Sequence, residues 1–378
     1  MPSICFSAGD PSGDVHAAHL IDALKRRLPN LHCSGLGGPA MQRAGVALLD
    51  DLTKASAIGP FDAARHLRRF LRAKQLLEHH FKTQRPDLVV LVDFGDFNLP
   101  VVAPLAKQYR IAVLYYISPQ LWAWGRWRLR FIRRYVDRMA VFFPFEEAFY
   151  RAADVPVVWV GHPLVELAKP SLTKAEALKR FELNPWRRTV GLLPGSRDQE
   201  IRRHLPLMLA AARHIAWRMP GVQFLLPKAP AVPSDRLVPK LSRAGVEVRI
   251  VEGSLYDALQ LMEAAIVVSG TATLEAALCG VPMVVVYRAS WPTYAAARLV
   301  VRVPHIAMVN VLAGRELVPE FLQHHATANR VSSAIVDLLR SDERCEAMRG
   351  QLRWLTQQLG PPGAVERAAQ VLLDMLNT

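Results

Sequence analysis

The sequence predicts an α/β protein made of two doubly wound parallel sheets, each in its own domain. Three observations indicate this fold. Short apolar runs rich in β-branched residues alternate with helix-length amphipathic stretches along most of the chain, which is the pattern of βαβ units. The length of 378 residues exceeds what a single hydrophobic core usually supports. Residues 161–170 contain two prolines and a glycine and interrupt the periodicity, so they predict a hinge.

The predicted strands divide into two series, one on each side of that hinge. The first series is expected near residues 3–7, 33–37, 88–92, 112–116, 139–142 and 157–160, with helices such as 15–27 between them. The second series is expected near residues 189–193, 222–226, 246–251, 264–268 and 283–287. We therefore expect one domain over residues 1–165 and another over 170–344. Ligands should bind in a cleft at the carboxyl ends of the strands.

Composition narrows the class of protein without naming a partner. Hydrophobic residues make up 51% of the chain and charged residues 21%, as in folded globular proteins. The net charge of +14 suits nucleic acid, an anionic membrane surface or a phosphorylated substrate. The apolar runs are far shorter than the ~20 residues that span a bilayer, and no signal peptide is apparent, so we expect a cytoplasmic protein. The cysteines and histidines show no metal-ligand spacing, so we expect no bound metal.

A first glycine turn, Gly9 to Asp14, follows the first predicted strand and opens a helix. Free amide groups and the helix dipole favour an anion or a substrate at such a position. A tight turn capped by Ser12 or Asp14 explains the same residues equally well. His16, just beyond this turn, is the histidine best placed to face the cleft.

A second glycine turn, Pro194 to Arg197, stands at the same point of the second domain. Gly195 and Ser196 offer amides and a hydroxyl to a diphosphate, and Arg197 adds a planar guanidinium. The alternative is a capped helix in which Arg197 pairs with Glu200. The spacing does not match the phosphate loop of ATP-hydrolysing enzymes.

A third strand-to-helix turn supplies further groups for a nucleotide. Ser269, Gly270 and Thr271 offer amides and hydroxyls, and Glu275 lies one turn into the following helix, where it can accept hydrogen bonds from a ribose diol. A capping box is the structural alternative. Together with the turn at Arg197, this motif favours a nucleotide diphosphate site.

Two carboxylates follow the apolar run 88–92. Asp93 and Asp96 are three residues apart, and Asn98 follows them. One carboxylate is expected to act as a general base and the other to cap a helix. Capping by both is the alternative.

A basic aromatic segment spans residues 118–134, and a second basic stretch spans 65–72. Tryptophan and arginine together suit the interface between water and lipid headgroups. A solvated face or a nucleic-acid surface would also explain the charge, but the tryptophans favour a membrane. The expected membrane contacts are Arg69, Arg72, Trp124, Arg126, Trp127, Arg128 and Arg130.

These motifs, taken in order, resemble the lipid-A-disaccharide synthase family over nearly the whole chain. The residues that carry the resemblance are Ser12-Gly13-Asp14, Asp93 with Asp96-Phe97-Asn98, Ser118-Pro119 with Trp122-Ala123-Trp124, Phe143-Pro144-Phe145-Glu146, Gly161-His162-Pro163, Leu193-Pro194-Gly195-Ser196-Arg197, Ser269-Gly270-Thr271 with Glu275, and Asn310 to Leu317. Two departures are Gly9-Asp10-Pro11, where the family commonly has Gly-Glu and a small residue, and Phe94-Gly95, where it has Ala-Pro or similar.

The resemblance implies a GT-B glycosyltransferase with two Rossmann-like domains that face a central cleft, and it implies no metal or cofactor. Such an enzyme condenses UDP-2,3-diacylglucosamine with 2,3-diacylglucosamine 1-phosphate, inverts the anomeric carbon, and releases UDP and the β-1,6 disaccharide 1-phosphate of lipid A synthesis. By position, Asp93 matches the proposed base, and Arg197, Glu275 and Asn310 match donor-site residues. The last helix, near residues 345–378, should pack back on the first domain.

The resemblance also assigns the first glycine turn to the acceptor. The residues expected on the acceptor side are Gly9, Ser12, Gly13, Asp14, His16, Asp96, Asn98, Ser118 and Trp122. Acylated substrates imply peripheral association with the inner face of the inner membrane, without nucleic acid as a partner, and the oligomeric state stays open. A nucleotide-sugar epimerase, or a transferase with another acceptor, would share this fold. A nucleic-acid-binding protein is the alternative that the charge allows.

Overall fold

A computed structural model describes residues 1–54, 63–123, 125–229, 232–291, 294 and 304–377. The chain divides into two compact units. The first contains Met1–Pro163 and Leu359–Thr378, and the second is Leu164–Gln358. The division falls inside the predicted hinge, and the returning segment begins at Leu359 instead of near residue 345.

The sheet of the first unit contains seven strands in the described residues, and all its neighbouring pairs are parallel. The strands are β1 (Ser3–Ala8), β2 (His32–Gly37), β3 (Ala47–Asp51), β4 (Leu88–Val92), β5 (Ala112–Tyr116), β6 (Arg138–Val141) and β7 (Val157–Trp159). Their order is β3-β2-β1-β4-β5-β6-β7. β4 is buried along its whole length, which explains its continuous apolar sequence.

Helices connect these strands, as the amphipathic stretches predicted. They are Pro11–Arg27, Pro39–Arg43, Ala63–Thr83, Gly95–Phe97, the π-helical turn Asn98–Val102, Ala103–Gln108, Leu129–Tyr135, Pro144–Arg151 and Ala364–Leu376, with 3-10 turns at Leu52–Lys54 and Arg126–Arg128. The last helix packs on the first helix of the chain, where Glu366 pairs with Arg26 at 2.6 Å. Arg367 also donates to the carbonyl of Val160 at 2.8 Å.

The described part of the second unit contains six parallel strands. They are β8 (Thr189–Leu193), β9 (Gln223–Lys228), β10 (Val248–Glu252), β11 (Ala264–Val268), β12 (Met283–Tyr287) and β13 (Glu320–Leu322), in the order β10-β9-β8-β11-β12-β13. The helices are Leu164–Leu167, Lys174–Arg180, Asp198–Arg218, Val238–Ser242, Leu255–Leu259, Thr271–Leu278, Met308–Ala313, Ala328–Arg340 and Asp342–Gln357, with 3-10 turns at Ser234–Arg236 and Gln323–His325. The prediction of two doubly wound parallel sheets is confirmed.

Each sheet has one point at which the direction of winding reverses. In the first sheet it lies between β1 and β4, and in the second between β8 and β11. Ligands of open α/β sheets bind outside the carboxyl ends of the strands at such a point. All four turns singled out in the sequence directly follow these four strands.

Among the described helices, none combines the length and the apolar character needed to cross a bilayer.

Candidate functional site

The turn after β8 exposes the groups predicted to bind a diphosphate. Gly195 has a φ of +107°, a conformation that favours glycine, and a Cβ there would overlap the side chain of Glu200. The amides of Ser196 and Arg197 both donate to Oε2 of Glu200, at 2.9 and 3.1 Å. The Arg197 guanidinium lies 3.4 Å from Oε1 of the same carboxylate and is 59% exposed. These donors therefore already converge on an anionic group, which combines the capping contact with the geometry of an anion site.

The turn after β11 lies on the other side of the same switch point. Gly270 has a φ of +155°, and a Cβ there would meet no atom within 4 Å, so the backbone faces open space. Gly270 and Thr271 are exposed. Ser269 is partly buried, and its hydroxyl donates to the carbonyl of Ile306 at 2.7 Å, so it holds the turn in place.

Glu275 lies one turn into the helix Thr271–Leu278, as predicted. Its Oε1 accepts a hydrogen bond from the hydroxyl of Tyr256 at 2.9 Å. Burial raises the pKa of Glu275, and the bond from Tyr256 opposes that shift by favouring the ionised carboxylate. Tyr256 was not predicted from the sequence, because a tyrosine in a short helix after β10 carries no recognisable pattern.

Asn310, which was predicted to lie in the donor site, is held by contacts within the protein, so its contact with the donor stays a prediction. It is fully buried, and its amide donates to the Val318 carbonyl and to Glu320, both at 2.8 Å. Its Oδ1 accepts from the amides of Leu317 and Val318, at 2.7 and 3.0 Å. Every hydrogen-bonding position of this side chain is thus used to fix the segment that leads into β13.

Asp93, the predicted base, follows β4 in a strained backbone conformation. Asp93 and Phe94 have φ angles of +45° and +51°, which non-glycine residues rarely adopt. The Asp93 carbonyl accepts from the hydroxyl of Tyr115 at 2.7 Å and from the amide of Asn98 at 2.8 Å. The side chain of Asp93 is half-buried. The surrounding residues therefore impose the direction in which this carboxylate leaves the strand.

Asn98 and Asp14, both predicted on the acceptor side, are held by contacts within the first unit, so their contacts with the acceptor stay a prediction. Asn98 is fully buried, and its Oδ1 accepts from the Ser7 hydroxyl at 2.7 Å, which ties β1 to the turn after β4. Asp14 is also buried. Its carboxylate accepts from backbone amides that begin the helix after β2, namely those of Gly38, Ala40 and Met41 at 2.8 to 3.0 Å.

Gly9 is required by its neighbour across the switch point. A Cβ at Gly9 would overlap the ring of Phe94. The turn after β1 therefore packs directly on the turn that carries Asp93, and both are positions where the sequence departs from the family pattern. Gly13 is buried and donates its amide to Asp10 at 2.7 Å, while Ser12 is exposed.

Asp96 points away from the buried part of this turn. Its carboxylate is 68% exposed and pairs with Arg128, whose side chain is only 15% exposed. The guanidinium is largely buried and has a carboxylate partner, so the predicted contact of Arg128 with lipid phosphates stays a prediction. Asp96 in turn has the exposure of a surface residue.

Ser118 and Trp122 belong to a buried network after β5 and β6. The Ser118 hydroxyl lies 2.7 Å from that of Tyr150, and Trp122 Nε1 donates to Glu146 at 3.2 Å. Glu146 is 2% exposed and also accepts from the amide of Phe143 at 3.2 Å. Burial raises its pKa to about 7. The network joins the two segments, so the predicted contacts of Ser118 and Trp122 with the acceptor stay a prediction.

His16 lies at the start of the first helix against an aromatic ring. Its ring centroid is 5.6 Å from that of Phe142, and Nδ1 has no hydrogen-bond partner among the described residues. Burial lowers the pKa of His16 to about 4, so the imidazole is neutral near pH 7.

The exposed part of the basic aromatic surface differs from the predicted set. Trp127 is 59% exposed, and Arg126, Arg130 and Arg72 are also exposed. Arg69 donates to the carbonyl of Asp51 and is partly buried, which removes it from the set of free cations. Trp124 lies outside the described residues.

Two leucines add an apolar component that sequence reasoning missed. Leu67 and Leu71 are 60% and 52% exposed, and their spacing places them on one face of the helix Ala63–Thr83. Phe70 of this helix packs on Phe94 and Phe97, with ring centroids 5.9 and 5.0 Å apart. The exposed leucines therefore belong to a helix that packs on the Asp93 turn. The spacing of four residues indicates that both leucines lie on one helix face, but the arginines between them make the stretch look basic and not apolar.

The comparisons with known proteins identify the family of this chain. A family profile described as lipid-A-disaccharide synthetase matches residues 4–374. The chain belongs to the lipid-A-disaccharide synthetase family. A lipid-A-disaccharide synthase of Geobacter metallireducens is 43% identical over 99% of this chain and 97% of its own, and one of Coxiella burnetii is 38% identical over 99% and 98%.

Solved structures share the fold of this lipid-A-disaccharide synthetase family member at low sequence identity. The structure of Staphylococcus aureus MnaA with UDP has a TM-score of 0.70 at 12% identity and covers 100% of this chain and 97% of its own. Acinetobacter baumannii MurG has a TM-score of 0.58 at 13% identity and covers 99% and 100%. These likenesses place the two Rossmann-like units in the GT-B class.

Proposed function

We propose that the chain transfers a 2,3-diacylglucosaminyl group from UDP to the 6-hydroxyl of 2,3-diacylglucosamine 1-phosphate. The 6-oxygen of the acceptor forms a bond to the anomeric carbon as the bond between that carbon and the phosphate oxygen of UDP breaks. The configuration at the anomeric carbon therefore inverts. The hydroxyl proton passes to a carboxylate, and UDP leaves with the electron pair. The products are the β-1,6 disaccharide 1-phosphate and UDP. Family membership supports this reaction, and the geometry of each unit supports the roles below.

The proposal that the second unit binds the UDP-sugar rests on the hydrogen-bond donors that converge at its switch point. The amides of Ser196 and Arg197 and the Arg197 guanidinium all contact one carboxylate, that of Glu200. A diphosphate carries more negative charge than a carboxylate, so it can replace Glu200 as the acceptor of these hydrogen bonds. Developing charge on the leaving UDP would then be stabilised by groups that are already oriented. Glu275, across the switch point, is the proposed partner of the ribose diol.

The proposal that the first unit binds the acceptor sugar rests on Asp93. Its backbone is held by Tyr115 and Asn98, so the carboxylate leaves the end of β4 in a fixed direction. A general base must be oriented toward the proton that it removes. Asp96 is exposed and paired with Arg128, so Asp93 is the better candidate.

We also propose that the first unit takes its substrates from an anionic lipid surface. Trp127, Leu67 and Leu71 expose apolar area, and Arg72, Arg126 and Arg130 expose positive charge. Apolar side chains at headgroup depth together with arginines that attract lipid phosphate are typical of reversible peripheral binding. Acylated substrates require access of this kind.

Calorimetry of UDP binding tests the donor half of this proposal. The variant Arg197→Ala should weaken UDP binding at least about tenfold, because a charge-assisted contact with phosphate is lost. Arg202→Ala is the matched control, since Arg202 lies on the same helix but pairs with Asp198 at 2.8 Å. Equal UDP affinity in the wild type and Arg197→Ala would contradict the assigned donor site.

A further inference from the structure

The side chain of Tyr256 forms a hydrogen bond with Glu275, a residue of the proposed nucleotide site. Its hydroxyl donates to Oε1 of Glu275 at 2.9 Å, and the two residues lie on different helices, Leu255–Leu259 and Thr271–Leu278. Oε2 of Glu275 has no hydrogen-bond partner among the described residues. One oxygen of the carboxylate is thus held by the protein, while the other forms no hydrogen bond with the described residues.

The helix that carries Tyr256 is itself held in place. The adjacent residue, Asp257, is buried, and its carboxylate accepts from the amides of Ser171 and Leu172 at 2.7 and 2.9 Å. The Ser171 hydroxyl donates to the same carboxylate at 2.8 Å. Because these three hydrogen bonds tie the short helix to residues 171–172, the Tyr256 hydroxyl is presented to Glu275 from a fixed position.

We propose that Tyr256 is a positioning residue for nucleotide binding, whose hydroxyl orients the Glu275 carboxylate so that it accepts both hydroxyls of a ribose diol. This inference rests on the proposed donor site and adds to it a residue that does not touch the nucleotide. A carboxylate held by one lateral hydrogen bond keeps lone pairs on both oxygens, so it can still accept two further donors. Without the bond, the side chain would be free to rotate and would lose part of that geometry.

The electrostatics of the pair agree with this role. Burial raises the pKa of Glu275, and the Tyr256 hydrogen bond is the opposing influence. The pKa of Tyr256 is raised far above its ordinary value by burial and by the nearby Glu275 carboxylate, so the hydroxyl keeps its proton and remains a donor. The tyrosine thus also helps to keep Glu275 ionised in a partly buried setting.

The test compares UDP with 2′,3′-dideoxy-UDP in calorimetric titrations of the full chain. The wild type should bind UDP more tightly than the dideoxy analogue. Tyr256→Phe should weaken UDP binding about tenfold and leave the affinity for the analogue unchanged, because the lost contact serves only the diol. Glu275→Gln should remove the same preference, and the double variant should lose no more than Glu275→Gln alone.

The control is Tyr109→Phe, which removes a tyrosine hydroxyl in the first unit and should bind both nucleotides as the wild type does. If Tyr256→Phe keeps the full preference for UDP, or loses affinity equally for both nucleotides, the positioning role is overturned. If the wild type binds neither nucleotide, the proposed donor site itself fails, and the two failures are distinguishable.

A pH series supplies a second readout that does not depend on one variant's stability. UDP affinity that needs ionised Glu275 should fall as the pH drops through the pKa of that residue. In Tyr256→Phe the fall should begin at a higher pH, because the bond that favours the ionised form is gone. Coincident pH profiles for the two proteins would overturn the inference.

Discussion

At the scale of single residues, the neighbourhood of Asp93 supports the proposal that this residue, and not Asp96, is the general base. Asp93 is half-buried and its backbone is fixed by Tyr115 and Asn98, whereas Asp96 is exposed and paired with Arg128. A general base must be oriented and free to accept a proton, and the pairing of Asp96 with Arg128 makes Asp93 the better candidate.

The variant Asp93→Asn should therefore lower turnover by roughly a hundredfold to ten-thousandfold, because the proton acceptor is lost. UDP affinity should not change, since Asp93 and the donor residues lie in different units. Steady-state rates in detergent micelles measure the effect. Asp96→Asn is the matched control and should retain near-normal turnover; the reverse ranking would make Asp96 the base.

Glu146 predicts a pH dependence of stability. Its pKa in the folded protein is about 7, against an ordinary value of 4.5, because it is buried. The unfolded chain therefore loses this proton at a lower pH than the folded chain, and the folded state loses stability as the pH rises from about 4.5 to about 7. Glu146→Gln removes that loss. Relative to the wild type, its free energy of unfolding should rise by about 2 to 3 kcal/mol between pH 5 and pH 7.5.

Urea unfolding at the two pH values measures this difference. Glu147→Gln is the control, because it removes the neighbouring carboxylate of the same helix, which pairs with Arg151 at 2.8 Å. A Glu146→Gln effect that is equal at both pH values would show that the carboxyl group is already ionised at pH 5.

Three residues of the sequence motifs are buried in the structure. Asn98, Asn310 and Asp14 were predicted to contact substrates, and their polar atoms form hydrogen bonds within the protein. A motif shows that a polar residue is needed at a position but not whether a ligand or the protein is its partner. The substrate contacts of these residues therefore stay a prediction.

At the scale of elements, the two turns at the first switch point depend on each other. The Phe94 ring fills the space that a Cβ at Gly9 would occupy, and Phe94 itself has a left-handed backbone next to Asp93. Glycine at position 9 is therefore required by packing.

This packing predicts a compensating pair of substitutions. Gly9→Ala should displace Phe94, lower the thermal midpoint of unfolding and reduce turnover, because the Asp93 turn must move. Gly9→Ala with Phe94→Ala should recover stability and turnover relative to Gly9→Ala alone. Thermal unfolding and rate measurements on both singles and the double complete the cycle. Strict additivity of the two substitutions would contradict the contact.

The parallel sheets were predictable from buried strands such as β4 and β11, whose apolar runs are continuous. The edge strands β3 and β13 were not. β3 ends in two aspartates and β13 has only three residues, because an edge strand pairs on one side only and needs neither length nor an unbroken apolar sequence. The switch-point turns were found because their position after a strand is visible in the sequence.

At the scale of the whole molecule, the net charge of +14 is relevant to the proposed binding of an anionic lipid surface. Part of it lies on exposed arginines of the first unit, beside Trp127 and the exposed leucines. A surface that combines exposed apolar side chains with positive charge should bind anionic lipid more strongly than neutral lipid.

Binding to anionic vesicles should fall when salt is raised from 0.1 to 0.5 M, because ions screen the arginines. The double variant Leu67→Ser with Leu71→Ser should weaken binding by at least about tenfold, since each leucine loses burial in lipid. Vesicle co-sedimentation measures both effects. Trp186→Ala is the control, because Trp186 is 92% exposed but belongs to the second unit. A larger loss in the control would move the membrane surface to that unit.

The proposed reaction of this chain joins two acylated glucosamines and releases UDP. Purified full chain is mixed with UDP-2,3-diacylglucosamine and 2,3-diacylglucosamine 1-phosphate in micelles without added metal, and both products are quantified. We expect UDP and disaccharide 1-phosphate in equal amounts, and no UDP when the acceptor is omitted. A folded, UDP-binding protein that forms no disaccharide, or that releases UDP equally well without the acceptor, would contradict it.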